Sequence, residues 1–258
     1  MHLFAFDVDG TLIDESTDQH SPETISHLQS LKARGHKIAL LTGRFTLPRA
    51  LLDLVQPDAR ALGNGNRIVL GETTVRQHPL SQAEIEAVVQ LVPEGMQVVG
   101  SALKERPLCF ASDHEAPEWD TWRAQDLIHP LAEMHHHDIL QIQFRGHEAP
   151  LLKARIKEVL PHLNAGGAVA PYLDVLTVTA AQAHKGHALM EIAGLLNVSL
   201  EHVTAFGDSD NDLEMLKHAG HAVQVGDAPY LKDICKEQVS CPLIGLPAWL
   251  GRQLEGRS

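Results

Sequence analysis

The feature that most constrains the fold is a short apolar segment near the amino terminus that ends in two acids. Leu3–Phe6 has the composition of a strand buried on both faces of a parallel sheet. Asp7 and Asp9 follow where that strand should end, and Gly10 lets the chain turn away. Two carboxylates this close repel each other unless a cation or a shared proton lies between them. The segment is therefore compatible with a Mg²⁺ site and equally with a plain Asp-rich turn.

The next segments continue a parallel sheet. Ser21-Pro22 supplies an N-cap and a first-turn proline for a helix that ends at Gly35. Lys37–Leu41 is a second apolar strand, and it stops at Thr42-Gly43-Arg44. A strand, a helix and a strand with this spacing form a parallel βαβ unit. Further elements are then expected: a helix over 47–54, a strand over 59–62, a tight turn over 63–66 and a hairpin over 67–75.

Near residue 79 the pattern changes to a mixture of helices and half-exposed strands. Ser81–Glu84 is a capping box for a helix that reaches Val92. Ile139–Arg145 alternates apolar and polar residues, as a half-exposed strand does. We also expect strands at 96–99, 108–111, near 168 and at 174–178, and helices over 118–133 and 149–160. The segment 79–182 is therefore predicted to be an α+β domain of its own.

After this module the parallel pattern returns. Lys185–Leu196 is predicted to be a helix, and Val203–Phe206 a buried strand that leads into the acid-rich segment Gly207–Asp212. A helix over 213–219 and a strand over 222–225 follow. The predicted fold class is α/β, with a doubly wound parallel-sheet core formed by 1–78 and 183–258 and an α+β domain inserted over 79–182.

Three predicted strands end in polar groups that a parallel sheet brings to one edge. The groups are Asp7 and Asp9, then Thr42 and Gly43, then Asp208, Asn211 and Asp212, and Lys185 can join them. Carboxylates for a metal, an ammonium, a hydroxyl and backbone amides are what a phosphoryl group bound with Mg²⁺ requires. A carboxylate beside the cation can attack phosphorus, and a second acid two residues on can transfer protons.

Each of these groups also has an ordinary structural interpretation. Lys185 alone is typical of a solvated lysine in a first helical turn, and Thr42-Gly43 alone is typical of a turn. The Asp208–Asp212 cluster alone would cap a helix. The shared pattern of all three strand ends favours the chemical interpretation.

Composition and spacing exclude several other functions. The formal net charge of −12 argues against nucleic acid or an anionic membrane as the partner. No apolar run reaches the ~18 residues of a membrane span. The first six residues are too short for a signal-peptide core and acids follow at once, and the three cysteines form no C-x-x-C pair, so we expect reduced thiols in the cytoplasm. The run His135–His137 is interpreted as a solvated cluster, and no P-loop, nucleophile elbow, zinc-protease or dinucleotide motif occurs.

Four segments together resemble the ordered motifs of the haloacid dehalogenase superfamily. They are Asp7-Val8-Asp9-Gly10-Thr11, Thr42-Gly43-Arg44, Lys185-Gly186 and Gly207-Asp208-x-x-Asn211-Asp212. The long insertion and the Asn64-Gly65 turn make the chain similar to the Cof-type phosphatases. The chain differs from many relatives just before the lysine motif, where it has Gln182-Ala183-His184.

The resemblance implies a Mg²⁺-dependent phosphatase with a cap domain, and it implies a role for each motif residue. Asp7 would be the nucleophile and a metal ligand, and Asp9 the acid/base that also offers its carbonyl to the metal. Asp208 would be a further metal ligand, and Asp212 would hold the ligands in place without contacting the metal itself. The phosphate would be bound by Thr42, Gly43, Lys185 and Asn211. Arg44 would either brace the loop or touch the substrate.

These expectations amount to a phosphomonoester hydrolase that acts on a sugar phosphate or a similar small metabolite through an aspartyl-phosphate. A phosphomutase with the same machinery is the first alternative. A non-catalytic phosphate-binding regulatory module is the second, and the intact pair of Asp7 and Asp9 argues against it, because binding alone needs neither a nucleophile nor an acid. The oligomeric state is left open.

Overall fold

The computed structural model describes residues 1–94, 96–102, 107–111, 128–169 and 172–255. The strands in the described part are Leu3–Asp7 (β1), Lys37–Leu41 (β2), Ala59–Leu62 (β3), Arg67–Leu70 (β4), Thr73–Gln77 (β5), Gln97–Ala102 (β6), Pro107–Ala111 (β7), Ile128–Pro130 (β8), Ile139–Arg145 (β9), Asn164–Val169 (β10), Tyr172–Thr179 (β11), Val203–Gly207 (β12), His221–Val225 (β13) and Glu237–Val239 (β14). The helices are Pro22–Ala33 (α1), Arg49–Val55 (α2), Gln82–Val89 (α3), Ala149–Val159 (α4), Lys185–Leu195 (α5), Leu213–His218 (α6) and Gly245–Glu255 (α7).

The chain divides into two compact units. The first is formed by Met1–Arg76 together with His184–Ser258, and the second by Gln77–Ala183. The first unit is therefore discontinuous in sequence, and the second is inserted between its halves.

The first unit is built on an eight-stranded sheet with the strand order β14-β13-β12-β1-β2-β3-β4-β5. The pairs from β14 to β3 are all parallel, and β4 turns back antiparallel to β3. The strand β1 is central and fully buried, as its apolar sequence predicts. The predicted α/β class with a mainly parallel sheet is confirmed.

Both faces of this sheet are covered by helices, so side chains that alternate along β1 enter two different cores. Phe4 and Phe6 pack on the face covered by α1 and α7, where the ring of Phe6 stacks on Phe206 at 4.5 Å. Leu3 and Ala5 pack on the opposite face, in a core that includes residues of α5 and α6. Burial on both faces fixes the register of β1, and therefore fixes where Asp7 leaves the sheet.

The second unit has a six-stranded sheet in the order β10-β11-β9-β6-β7-β8. All neighbours are antiparallel except β7 and β8. The predicted capping box of Ser81 and Glu84 starts α3. The helices α3 and α4 contribute apolar side chains to the core of this unit. A second, largely antiparallel sheet of this kind agrees with the predicted α+β module.

Several details of the second unit differ from the sequence-based expectations. The helix expected over 118–133 is wrong where it can be examined, because 128–130 is a strand and 131–136 a 3₁₀ helix; its first ten residues lie outside the described part. Gln141 of β9 is buried, although the alternating pattern predicts an exposed position. Of the predicted solvated histidine run, only His136 is exposed; His135 and His137 are partly buried, and the ring of His137 packs 5.4 Å from that of Phe110.

Helix boundaries also differ where proline restricts the backbone. The helix expected from Leu47 begins at Arg49, directly after Pro48, because a residue that precedes proline avoids the helical region. The helix expected to reach Val92 ends at Val89, ahead of Pro93. Among the described residues, we find no helix with the length and apolarity that crossing a membrane requires.

Candidate active site

Three neighbouring strand ends carry the residues of the candidate site. The strand β1 ends at Asp7, β2 ends just before Thr42, and β12 ends just before Asp208. Because β12, β1 and β2 are adjacent and parallel, their carboxyl ends lie on one edge of the sheet. The helix α5 adds Lys185, its first residue, to the same cluster.

A buried ammonium group lies between two buried carboxylates at this edge. The side chain of Lys185 is 1% exposed, and its Nζ donates to Asp7 Oδ1 at 2.7 Å and to Asp212 Oδ1 at 2.8 Å. A third bond, of 3.1 Å, reaches Asn211 Oδ1. Burial by itself would lower the pKa of Lys185, but the charges of Asp212 and Asp7 outweigh it and raise that pKa above its ordinary value. Lys185 therefore carries a positive charge throughout the physiological pH range.

The three carboxylates of the cluster have the properties of a cation site. Asp7, Asp208 and Asp212 each offer one oxygen, and these oxygens lie within 4.8 Å of one another. Burial, followed by the charge of Asp212, raises the pKa of Asp7 well above its usual range and that of Asp208 to about 6. A divalent cation relieves this crowding of buried negative charge, and an all-oxygen donor set suits a hard cation.

Asp212 is engaged mainly by protein groups. Its Oδ1 accepts from Lys185, and its Oδ2 accepts the backbone N–H groups of Asp208 and Ser209 at 3.0 and 3.1 Å. The carboxylate therefore holds the loop after β12 and the ammonium of Lys185 in one arrangement. Asp7 and Asp208 remain as the pair with fewer protein partners.

Asp208 is positioned by the turn after β1. The hydroxyl of Thr11 donates to Asp208 Oδ1 at 2.9 Å. Gly10 has a φ of +82°, and a Cβ atom there would lie 2.3 Å from Asp208 Oδ2. Thr11 was not predicted as a site residue. Its position directly after Asp9-Gly10 is the sequence feature that could have indicated this contact.

Asp9 lies apart from the buried cluster and is paired with Arg44. The guanidinium Nε donates to Asp9 Oδ2 at 2.9 Å, while Nη2 contacts Oδ1. The carboxylate of Asp18 lies 3.8 Å from Nη2. Of the two roles considered for Arg44, the geometry supports bracing, because its donors grip a residue of the loop after β1.

The remaining predicted residues line the loops beside the cluster. Thr42 is fully buried, and its hydroxyl accepts the N–H of Arg44 at 3.0 Å. The N–H of Asn64 donates to the Thr42 carbonyl at 2.8 Å, and Asn64 Oδ1 accepts from Asn211 Nδ2 at 3.4 Å. Asn64 thus joins the loop that contains Gly43 to the loop that contains Asn211. It adopts a left-handed backbone with φ +58° and was not predicted as a site residue.

The order of these motifs and the sheet that carries them match a known family. Residues 4–241 match the haloacid dehalogenase-like hydrolases. The chain belongs to this family. Within the haloacid dehalogenase-like hydrolases it is a Cof-type phosphatase, as its motifs predicted.

Relatives agree with this assignment, and solved structures share the fold. The HMP-PP phosphatase of Enterobacter sp. (strain 638) is 30% identical over 258 residues, which cover 94% of this chain and 90% of the relative. The HMP-PP phosphatase of Cronobacter sakazakii is 29% identical with the same coverage. A sugar phosphatase of subclass IIB superposes with a TM-score of 0.81 at 22% identity, covering 98% of this chain and 99% of that one. A phosphatase from Bacteroides thetaiotaomicron gives 0.77 at 22% identity, covering 98% and 94%.

Proposed function

We propose that the protein is a Mg²⁺-dependent phosphomonoester hydrolase that forms an aspartyl-phosphate on Asp7. The observation that carries the proposal is the arrangement around Asp7, which has an ammonium at 2.7 Å and the carboxylate of Asp208 beside it. An attacking oxygen, a cation site and a fixed positive charge are thereby gathered at the end of one strand. Phosphoryl transfer depends mainly on such positioning and charge neutralisation.

The metal would be held by Asp7, by Asp208 and by the main-chain carbonyl of Asp9. Asp212 is the weaker candidate for direct ligation because both of its oxygens already accept bonds from protein groups. Bound Mg²⁺ would neutralise charge on the phosphoryl oxygens and on the nucleophile. Two observations support this assignment: a cation would reduce the repulsion between the crowded buried carboxylates, and all the donor atoms are oxygens.

In the first step an oxygen of Asp7 forms a bond to phosphorus, and the bond between phosphorus and the ester oxygen breaks. The leaving oxygen takes a proton from Asp9. In the second step water attacks the same phosphorus and gives a proton to Asp9, and the bond to Asp7 breaks to release phosphate. Proton transfer of this kind contributes about 10²–10⁴ to the rate of an ester with a poor leaving group.

The phosphoryl group would be oriented by Thr42, the Gly43 amide, Lys185 and Asn211. Lys185 is held rigidly by three bonds, so it offers its charge without reorganising. In the aspartyl-phosphate, after Asp9 has given up its proton, Arg44 would hold the Asp9 carboxylate in place to accept a proton from water. For the acid step the grip of Arg44 on Asp9 must be released.

We further propose that the unit Gln77–Ala183 acts as a cap that selects the substrate. The substrate class is a small phosphorylated metabolite, such as a sugar phosphate. The HMP-PP phosphatases among the relatives and the sugar phosphatase of the same fold support this class. If the unit covers the site, orthovanadate should reduce hydrogen exchange within Gln77–Ala183. Unchanged exchange throughout the unit would contradict the cap.

The proposed function is tested by phosphate release from a panel of phosphorylated metabolites and one aryl phosphate, with Mg²⁺ and with excess chelator. We expect hydrolysis with Mg²⁺, none with chelator, and none for Asp7→Asn in either condition. Full turnover in chelator would contradict the metal, and turnover by Asp7→Asn would contradict the nucleophile. Phosphate transferred to a second hydroxyl and not released would identify a phosphomutase.

A further inference from the structure

The helix that carries Lys185 begins with a histidine cap. His184 has the extended backbone of an N-cap residue, and its Nδ1 accepts the backbone N–H of His187 at 3.2 Å. Helix N-caps are usually Ser, Thr, Asp or Asn, whose oxygens accept at every physiological pH. A ring nitrogen replaces that oxygen here, and it lies one residue before Lys185.

This cap exists in only one protonation state of the ring. A backbone N–H can only donate, so Nδ1 of His184 must carry a lone pair. An imidazolium donates from both nitrogens and has no acceptor. Protonation of His184 therefore removes the bond to His187 and turns a donor towards the positive end of the helix dipole.

The groups that face His184 keep the ring neutral at physiological pH. Burial has the largest effect and lowers the pKa of His184, and His187 on the same helix lowers it further. From α6, Glu214 raises that pKa and His218 lowers it. The turn Gly63–Gly65 brings no charge near the ring, because it consists of glycine and asparagine only.

The same turn also packs closely against the backbone of His184. A Cβ atom on Gly65, whose φ is +104°, would lie only 2.9 Å from the His184 carbonyl oxygen. The next residue, Lys185, bonds to Asp7, Asn211 and Asp212. A change at the start of the helix is therefore transmitted directly to the ammonium in the site.

We propose that His184 is a positioning residue whose neutral ring fixes the start of α5, so that Lys185 is placed to bind phosphate, and that acid releases this placement. The assignment rests on the proposed function, because it acts through the phosphate-binding role of Lys185. The pH dependence that His184 supplies would add to that of the acidic cluster.

The test compares wild type with His184→Asn and His184→Ala. Asparagine is a good N-cap that does not titrate, and alanine has no acceptor. Turnover of an aryl phosphate is measured with saturating Mg²⁺ from pH 5 to 8.5, and KM and kcat are separated. All three proteins share the titration of the acidic cluster, so ratios between variants isolate His184.

At pH 8 we expect His184→Asn to match wild type, and His184→Ala to have a kcat/KM lower by up to roughly fivefold, the factor reached if the whole free energy of one N-cap bond is lost from the placement of Lys185. Below pH 6 the ratio of His184→Asn to wild type should rise, while the ratio of His184→Ala to wild type approaches one. Three parallel pH profiles would overturn the proposal.

Thermal unfolding separates a failure of this proposal from a failure of the proposed function. A partly buried histidine that is held neutral makes the folded state bind fewer protons than the unfolded state at that residue, so His184 should contribute a loss of stability as pH falls below about 6.5. His184→Asn should lose less over the same range. This readout needs no activity, and equal losses in the two proteins would contradict the cap even if the enzyme proved inactive on every ester.

Discussion

Replacing Gly10 by alanine should remove metal binding without unfolding the protein. An alanine Cβ at this position would lie 2.3 Å from Asp208 Oδ2, whereas 3.4 Å is the lower limit of an ordinary contact. The carboxylate must therefore move by about 1 Å. It is the free end of a side chain, so it can swing away at little cost, but that movement breaks its 2.9 Å bond to Thr11 and takes an oxygen out of the cluster. Mg²⁺ demands near-ideal oxygen geometry and tolerates such a shift poorly.

The chain offers a matched control in Gly35. Its φ of +83° is nearly the same as the +82° of Gly10, but no atom lies within 4 Å of the Cβ that alanine would add. Both substitutions place a non-glycine residue in the left-handed region, which costs about 1–2 kcal/mol. The backbone cost of Gly10→Ala and Gly35→Ala should therefore be similar in chelator, and Gly10→Ala loses in addition the bond from Thr11 to Asp208.

The assays are thermal unfolding with and without Mg²⁺, and turnover of an aryl phosphate at several Mg²⁺ concentrations. A displacement of about 1 Å at a reacting centre can cost roughly 10²-fold in rate, so Gly10→Ala should lose about that factor in kcat/KM and most of its Mg²⁺-induced stabilisation. Gly35→Ala should keep both. If Mg²⁺ stabilised the two variants equally and activated them equally, the argument that Asp208 needs the space left by the missing Cβ of Gly10 would be refuted.

Two further predictions follow from the carboxylates. Asp9→Asn should lower kcat/KM, which reports formation of the phosphoenzyme, by about 10²–10⁴-fold for a sugar phosphate but much less for an aryl phosphate, because an aryl leaving group needs little protonation; equal losses of kcat/KM on both esters would contradict the acid role. Mg²⁺ binding must displace a proton from Asp208, whose pKa is raised to about 6 by burial and by Asp212, so the apparent affinity should fall by up to about tenfold per unit as pH drops below 6. A raised carboxyl pKa makes the stability of the metal-free protein fall as pH rises towards 6. Mg²⁺ should therefore raise the unfolding temperature more at pH 7.5 than at pH 5. Equal shifts at the two pH values would contradict the assignment of Asp208 as a metal ligand.

The parts of the fold that the sequence predicts well are those set by burial on both faces. Leu3–Phe6 is a continuous apolar run, and Val203–Phe206 is apolar except for Thr204; each occurs as a buried central strand with acids at its end. Where strands are that unambiguous, topology dictates that Asp7 and Asp208 share an edge. The convergence of the predicted residues is a consequence of this single rule.

Other features depend on tertiary contacts that leave no periodic signal. Gln141 alternates with apolar neighbours and yet is buried, because packing within the second unit decides its exposure. The strand Glu237–Val239 is three residues long and pairs with β13, and nothing local distinguishes it from a loop. The bond from Thr11 to Asp208 joins residues 197 positions apart, so only the folded sheet reveals it.

The central claim is that Asp7 carries the phosphoryl group, and one measurement tests it directly. In Asp9→Asn an aryl phosphate can still phosphorylate the nucleophile, but no base remains to activate water, so the phosphoenzyme should accumulate. The variant is mixed with an aryl phosphate and Mg²⁺, quenched in acid within its first turnover, and mapped by peptide mass spectrometry. The account predicts a phosphoryl group on Asp7, absent when Asp7→Asn is added. A phosphoryl group on another residue, or phosphate release by the double variant at the rate of Asp9→Asn, would contradict it.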